Sequence, residues 1–315
     1  MTGKNYKLFL APVKGITDSL FRRGFVKYFG GVDRAYAPFV KTALEVLPDK
    51  LLKDLQPEIN GDLVVVPQIL SKDKVGIVDG AFKFEALRYT SFNWNLGCPM
   101  ATSTKKNLGS GLLPFYDEID SILSYVFTHS PIDISIKTRL GLHSSKDILK
   151  LVPVFNRYPI KEVIIHPRTG VKQYGGSVDL EVFGECLSLL KADVIYNGDI
   201  CSKEDFVNLS EKFPEVSGWM IGRGALKNPL IFEQIKNPQI ENDFEKSNGA
   251  VHGFHDYLFD GYRERLDGAL PVLHKMVTLI EYLKEYLKIS DVQYKKIKKS
   301  KTLKEYLTNT DVLWK

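Results

Sequence analysis

Sulfur is scarce in this chain. Its 315 residues hold three cysteines and four methionines. Cys98, Cys186 and Cys201 form an odd, widely spaced set, which excludes a disulfide framework and fits a reducing compartment. No CxxC or HxxxH pair is present, so no metal site is expected. Long apolar runs are missing as well. No stretch of about eighteen apolar residues exists, which excludes a membrane-spanning helix. The opening MTGKNYKLFLAPV has neither the apolar core nor the cleavage site of a signal peptide. A cytoplasmic protein with no membrane partner is the expectation. Charge of one sign is not in large excess either. Lys and Arg number 43 against 38 Asp and Glu, a net +5 that does not by itself point to nucleic acid. Internal repeats and low-complexity tracts are absent. No GxGxxG opens the first helix, as a doubly wound dinucleotide-binding sheet would require.

What the chain has is a recurring alternation. Short β-branched and aromatic runs at Lys7–Pro12, Asp33–Phe39, Leu63–Leu70, Thr90–Asn95, Ile132–Thr138, Glu162–His166, Asp193–Asn197 and Trp219–Gly222 read as eight strands. Amphipathic stretches such as Asp147–Arg157 and Leu180–Lys191 lie between them. Eight βα units in this length predict an α/β fold, a (β/α)₈ TIM barrel. After Phe232 the pattern changes. The polar stretch IKNPQIENDFEKSNGA reads as a linker, and residues 250–310 read as helix throughout. The chain therefore divides into a barrel over 1–240 and a small all-helical C-terminal domain over 241–315. The lysine-rich KIKKSKTLK in the latter is either a solvated helix end or an RNA-backbone contact.

A barrel active site lies at the C-terminal ends of its strands. The residues there are Pro12, Gln68, Asn95 with Cys98, Lys137 with Arg139, His166 with Arg168, Asn197 with Asp199, and Gly222 with Arg223. So many polar groups in one mouth are costly unless they bind something polar. The last two loops, YNGDI and MIGRGALKNP, suit a phosphate: glycines admit backbone N–H groups, and Arg223 adds a charged contact. The Gln68 amide suits an imide edge, and the Lys137 cation suits negative charge on a reduced ring. His166 precedes PRTG and sits in a turn-like, polar neighbourhood. Cys98 lies between Gly97 and Pro99, which predicts an exposed turn. A thiol is mostly protonated at neutral pH, so it can act as a general acid. Cys186, on an amphipathic face, and Cys201, opening a helix, read as structural.

Taken together, APVKGITDSLFRRGF, NLGCPM, ISIKTRLGL, IIHPRTGVKQYGG, IYNGDI and MIGRGALKNP resemble the tRNA-dihydrouridine synthase family in order and spacing from Leu10 to Phe232. The resemblance implies a barrel that binds FMN, a helical domain that binds tRNA, and NADPH as reductant. It implies reduction of one uridine in tRNA to 5,6-dihydrouridine, with Cys98 giving the proton to C5. Pro12, Val13, Gln68, Lys137, His166, Asn197, Gly198, Asp199, Gly222 and Arg223 would hold the cofactor. Asn95 would stand near the target base, and Arg139, Arg168 and Tyr174 would meet the substrate. A monomer is expected. A flavin barrel that reduces a small pyrimidine or enone is the alternative. The chain departs from the family pattern at Val13, Lys14, Pro38 and Pro167, and in the lysine usually found just after the Cys-Pro pair.

Overall fold

The structure, a computed structural model, describes residues 6–41, 53–239 and 244–314. Its strands are β1 (Leu8–Leu10), β2 (Arg34–Tyr36), β3 (Val65–Val66), β4 (Gln68–Ile69), β5 (Ser91–Leu96), β6 (Asp133–Gly141), β7 (Glu162–Thr169), β8 (Asp193–Tyr196) and β9 (Gly218–Ile221). They pair in parallel in the order β3-β2-β1-β9-β8-β7-β6-β5-β4. The two end strands, β3 and β4, are halves of one extended segment. Pro67 divides them because it has no N–H to give the ladder. Its carbonyl still accepts from the Asn93 N–H at 2.9 Å. The sheet therefore closes on itself through Pro67, with a parallel bridge between Val40 and Ile69 beside it, and the architecture is an eight-position TIM barrel.

Two separate layers fill the space. Between sheet and helices runs a large apolar core that includes Leu8, Ile69, Phe92, Ile136, Ile165 and Ile221. Inside the barrel, Phe9, Ala11, Tyr36, Val66, Ile164, Ile195 and Met220 form a second cluster. That inner cluster draws on β1, β2, β3, β7, β8 and β9. The remaining arc, β4 to β6, contributes buried Gln68, Asn93, Asn95 and Ser135 instead. At the N-terminal end of the strands, Arg34 on β2 reaches Glu162 on β7 at 2.7 Å, and Tyr36 donates to the same carboxylate at 3.0 Å. These strands are not neighbours, so the pair spans and plugs that end. Burial and the Glu162 charge hold the Tyr36 phenol well above its ordinary pKa.

After the barrel come helices at Phe244–Arg265, Ala269–Leu283, Asp291–Lys298 and Leu303–Thr310. His255 ties the first of these to the last through Tyr306, Nε2 to hydroxyl at 2.9 Å. The Phe244–Arg265 helix packs along the Ser19–Phe29 helix of the barrel. Phe254 meets the rings of Phe21, Phe25 and Phe29 at centroid distances of 5.3, 6.2 and 5.0 Å. Glycines permit the approach. A Cβ on Gly24 would lie 2.7 Å from the Tyr257 ring, and one on Gly261 would lie 2.6 Å from Leu20. Each phenylalanine buried here is worth about 1.5–3 kcal/mol, so these helices stabilise the barrel as well as extend it.

Several sequence expectations are adjusted by the structure. The stretch expected to be a linker is helical from Phe244 onward, and the 240/241 boundary lies outside the described residues. The His166–Thr169 segment is strand rather than turn, and β6 continues through Arg139 to Gly141. Pro167 is tolerated near the strand's end because the neighbouring ladder does not need its N–H. Cys201 is exposed, whereas Cys186 is buried.

A helix glycine replaced by alanine normally gains about 0.5–1 kcal/mol. At Gly24 the clash with Tyr257 reverses the sign. Gly24→Ala is expected to lower stability by about 1 kcal/mol, seen as a lower urea midpoint with an unchanged slope. A raised midpoint would mean the two helices do not pack as described.

Candidate active site

The strand ends open into a cavity of about 720 Å³, within the usual size for small-molecule sites. Every candidate residue from the sequence lines it except Arg168. The register explains why they converge. Gln68, Asn93 and Ser135 are cross-strand partners on β4, β5 and β6, and two residues further on Asn95 faces Lys137. The period of two along each strand keeps these side chains on the inner face. Arg139 pairs with His166 one step higher.

Hydrogen bonds give this arc a direction. Asn95 Oδ1 accepts from the backbone N–H groups of Gly97 at 3.0 Å and Cys98 at 2.8 Å. Its Nδ2 must then donate, and it meets Gln68 Oε1 at 2.7 Å. Gln68 Nε2 donates to Asn93 Oδ1 at 2.7 Å. Two backbone donors thus set the orientation of three amides.

Cys98 sits where this arc meets the cavity wall. It is 7% exposed, so the expected exposed turn is instead a buried one that borders the cavity. The turn itself is present. The segment that follows folds back over it: Ser110 donates to the Cys98 carbonyl at 3.1 Å, and Sγ lies 3.7 Å from Ser103 Oγ. Gly109, at φ +58°, lies so close that a Cβ there would be 2.7 Å from the Cys98 Cβ.

The cations play distinct parts. Lys137 is partly exposed to the cavity, yet the enclosing walls desolvate its ammonium. That burial, with Arg139 beside it, lowers its pKa to about 7, and Cys98 opposes the shift. Arg139 is buried and donates to the carbonyls of Gly97, Thr169 and Gln173 at 3.1, 2.9 and 2.5 Å. It braces the Cys98 loop against the loop after β7. Arg168 is buried too, and ion-pairs with Asp199 while also donating to Gly176 O. Its Nη1 lies 3.2 Å from His166 Nε2. A guanidinium can only donate, so Nε2 carries the lone pair and Nδ1 the proton. Burial and the surrounding cations push the His166 pKa well below its usual value, which keeps the ring neutral. Arg223 extends over the Tyr174 ring at 4.3 Å and reaches Asp199 at 3.4 Å. Tyr174 is 52% exposed at the mouth. Asn197 donates to Met220 O at 2.8 Å and so joins β8 to β9. Gly224 is forced: a Cβ there would fall 1.8 Å from the Ile200 carbonyl.

Sequence reasoning missed contributors from outside the strand ends. Tyr282, on the Ala269–Leu283 helix, lines the cavity near Arg223 and Tyr174. Lys275 of the same helix donates to Gly15 O and to Asp18, both at 2.7 Å, and fixes the loop that carries Val13 and Lys14. No local signal in the sequence marks either residue. Lys105 and Lys106 are exposed and do not line the cavity. Among the lining residues, Lys14, Lys137, Arg139, Arg223 and Lys227 face a single carboxylate, Asp199. The cavity is therefore electropositive and suits an anionic occupant. Among the described residues, no group of three or more His, Cys, Asp or Glu could hold a metal ion, and no helix is long and apolar enough to cross a membrane.

The sequence model of the family described as "Dihydrouridine synthase (Dus)" matches residues 9–312. The chain belongs to the dihydrouridine synthase family. It is thereby an oxidoreductase of that class. It is 33% identical to the "Probable tRNA-dihydrouridine synthase" of Helicobacter pylori strain J99, over 84% of this chain and 81% of that one. It is 26% identical to the tRNA-dihydrouridine(16) synthase of Pseudomonas putida, covering 79% and 77%. To tRNA-dihydrouridine synthase B of Vibrio vulnificus it is also 26% identical, covering 90% and 88%. Among solved structures, morphinone reductase in complex with tetrahydroNAD superposes with a TM-score of 0.51 at 11% identity, over 80% of this chain and 93% of that one. 2-Naphthoyl-CoA reductase gives 0.56 at 8% identity, over 74% and 50%. These last two share the fold.

The lowered Lys137 pKa has a pH signature in this family member. The unfolded chain keeps an ordinary lysine near 10.5, so between about pH 7 and 10.5 it binds more protons than the folded one. Stability of the cofactor-free protein should therefore rise with pH between about 7 and 9, above which the raised Cys186 thiol and the buried tyrosines act in the opposite direction. Below about pH 7 the penalty of the buried charge is at its full value. Lys137→Met should abolish this rise, as measured by urea midpoints across the range. A wild-type slope retained in Lys137→Met would remove Lys137 as its cause.

Proposed function

We propose that this protein reduces a uridine in tRNA to 5,6-dihydrouridine, with FMN as bound cofactor, NADPH as reductant and Cys98 as proton donor. The observation that carries the reading is the convergence of Cys98, the Gln68–Asn95 amide pair and Lys137 on one electropositive cavity. The donor set fits a flavin. Gln68 retains one amide N–H and one carbonyl lone pair for an imide edge, and Lys137 offers a cation for the electron-rich side of a ring. Pro12, Val13 and His166 would flank the ring. The loops that carry Asn197, Gly198, Asp199, Gly222 and Arg223 would receive the phosphate through their donors, with Arg223 exchanging the Asp199 carboxylate for that stronger anion. The chemistry that bound FMN supplies is hydride transfer to C6 of the uridine, with NADPH restoring the hydride.

The chain's own residues do the rest. Asn95 and Arg139 hold the Cys98 turn so that the thiol borders the cavity. Cys98 donates its proton to C5 as the hydride arrives at C6, the C5=C6 double bond becomes single, and the thiolate is reprotonated from solvent. Burial and the surrounding cations keep His166 neutral, and Arg168 at Nε2 fixes the tautomer, so that ring acts as a hydrogen-bond donor through Nδ1 and does not compete as an acid. Tyr174, exposed at the mouth, suits stacking on a flipped base. Residues 1–240 are assigned to catalysis and 241–315 to tRNA, in a cytoplasmic monomer. The lysines at 295, 296, 298 and 299 suit the RNA backbone.

The test is anaerobic. Reduce the flavoprotein with NADPH, add tRNA lacking dihydrouridine, and follow the flavin band. Wild type should be reoxidised by tRNA and not by free uridine. Cys98→Ala should keep its flavin and its reduction by NADPH, and lose tRNA-driven reoxidation by about 10²–10⁴-fold. Reoxidation by a small enone or pyrimidine, with tRNA inert, would replace the RNA substrate with a small molecule. Wild-type turnover in Cys98→Ala would end the acid role.

A further inference from the structure

The polar arc inside the barrel does not stop at Gln68. Asn93 accepts from Gln68 Nε2 and donates through Nδ2 to Ser135 Oγ at 2.9 Å. Ser135 in turn donates to the Phe92 carbonyl at 3.3 Å. The three side chains stand in register on adjacent strands, and all are at most 4% exposed. Neither Asn93 nor Ser135 lines the cavity. A barrel interior filled by alternating branched residues would be cheaper at both places. Buried amides and hydroxyls are costly unless every group is paired.

We propose that Asn93 and Ser135 are positioning residues that fix which edge of the Gln68 amide faces the flavin. This rests on the flavin reading above. The chain of donors runs one way. From above, two backbone N–H groups pin Asn95 Oδ1, so Asn95 can only donate to Gln68. From below, the Phe92 carbonyl makes Ser135 Oγ a donor to the backbone and leaves its lone pairs for Asn93. Asn93 therefore presents its oxygen to Gln68. A flipped Gln68 would place NH₂ against NH₂ at one end and oxygen against oxygen at the other. Its free N–H and free lone pair thus keep a fixed order, which a flavin imide, with its alternating C=O and N–H, requires. The same chain couples this edge to the Cys98 turn through Asn95. An orientation error at Gln68 would be felt by cofactor and acid together.

The experiment uses the FMN-loaded protein. FMN affinity, the visible flavin band and the flavin reduction potential are measured in Asn93→Leu, Ser135→Ala, Ser135→Thr and Gln68→Leu, and in Gln68→Leu combined with each of the first two. Asn93→Leu should weaken FMN binding roughly tenfold, the effect of one buried hydrogen bond left unmade, and shift both band and potential. Ser135→Ala should shift them in the same direction by less, and Ser135→Thr, which keeps the hydroxyl, should restore them. In the Gln68→Leu background neither change should add a further shift, because both act through the amide. Additive losses in that background, or a wild-type band in both Ser135→Ala and Asn93→Leu, overturn the proposal while the flavin site stands. If Gln68→Leu itself leaves affinity and band unchanged, the Gln68 contact is wrong and the proposal falls with it. The Ser135 pair decides the matter should Asn93→Leu not fold.

Discussion

Two backbone N–H groups converging on one side-chain oxygen organise this molecule's chemistry. The acceptor is Asn95 Oδ1, and the donors belong to Gly97 and Cys98. Once that oxygen is committed, the nitrogen of the same amide must donate, and the orientation of Gln68 follows. Buried amides have no water to absorb a wrong orientation, so the constraint propagates along the chain without loss. A parallel barrel normally fills its middle with branched apolar side chains, and six of the nine strands here do so. The polar arc from β4 to β6 departs from this rule. Its cost is offset only because each amide finds its partner.

The second constraint comes from outside the barrel. Asp18 caps the Ser19–Phe29 helix and also receives Tyr262 at 3.1 Å and Lys275 at 2.7 Å. The loop between β1 and that helix carries Val13, Lys14 and Ile16 into the cavity wall. The C-terminal helices thus hold one side of the site while their own Tyr282 enters it. Lys227, another lining residue, reaches Glu285 of the same region at 3.5 Å. Removing these helices would strip apolar cover from Phe21, Phe25 and Phe29 and release the loop at once. The parts of the molecule that differ in secondary structure are therefore joined in function through a few polar contacts over a large apolar one.

Much of this was legible beforehand for a simple reason. Parallel strands buried on both faces must be β-branched runs, and runs such as LVVVPQIL and EVIIH can hardly be anything else. The alternation in ISIKTR also announces its inward face: Ser135, Lys137 and Arg139 fall at every second place. Less legible was where each polar group finds its partner. Arg139 and Arg168 stand out in the sequence as charges at strand ends, and the family resemblance implies that they meet the substrate. In the fold Arg139 holds the carbonyls of Gly97, Thr169 and Gln173, and Arg168 holds Asp199, the neighbouring His166 and the Gly175 and Gly176 carbonyls, and the partners 30 or more residues away could not be read from the sequence. The HPRT segment looked like a turn because Pro167 and Thr169 favour one, yet β6 extends far enough to pair with it. The polar start of the Phe244–Arg265 helix read as linker because its helical character comes from packing further along. Tyr282 and Lys275 had no signal, since their places depend on how two helices dock.

Charge gives the same answer as geometry. Lys137, Arg139, Arg168 and Arg223 surround His166, and all four lower its affinity for a proton. Asp199 alone among the lining side chains offsets them, and it is shared between Arg168 and Arg223. Such a site is poorly stabilised by its own residues. The depressed Lys137 pKa is the symptom: an ammonium so placed holds its proton weakly until a negative charge arrives. An anionic occupant would draw Arg223 from Asp199, strengthen the charge on Lys137 and leave His166 neutral, because its burial and the contact from Arg168 do not depend on the occupant. The cations therefore divide by partner. Those held by the protein's own carbonyls and carboxylate shape the loops, and those left short of a partner define what the cavity binds.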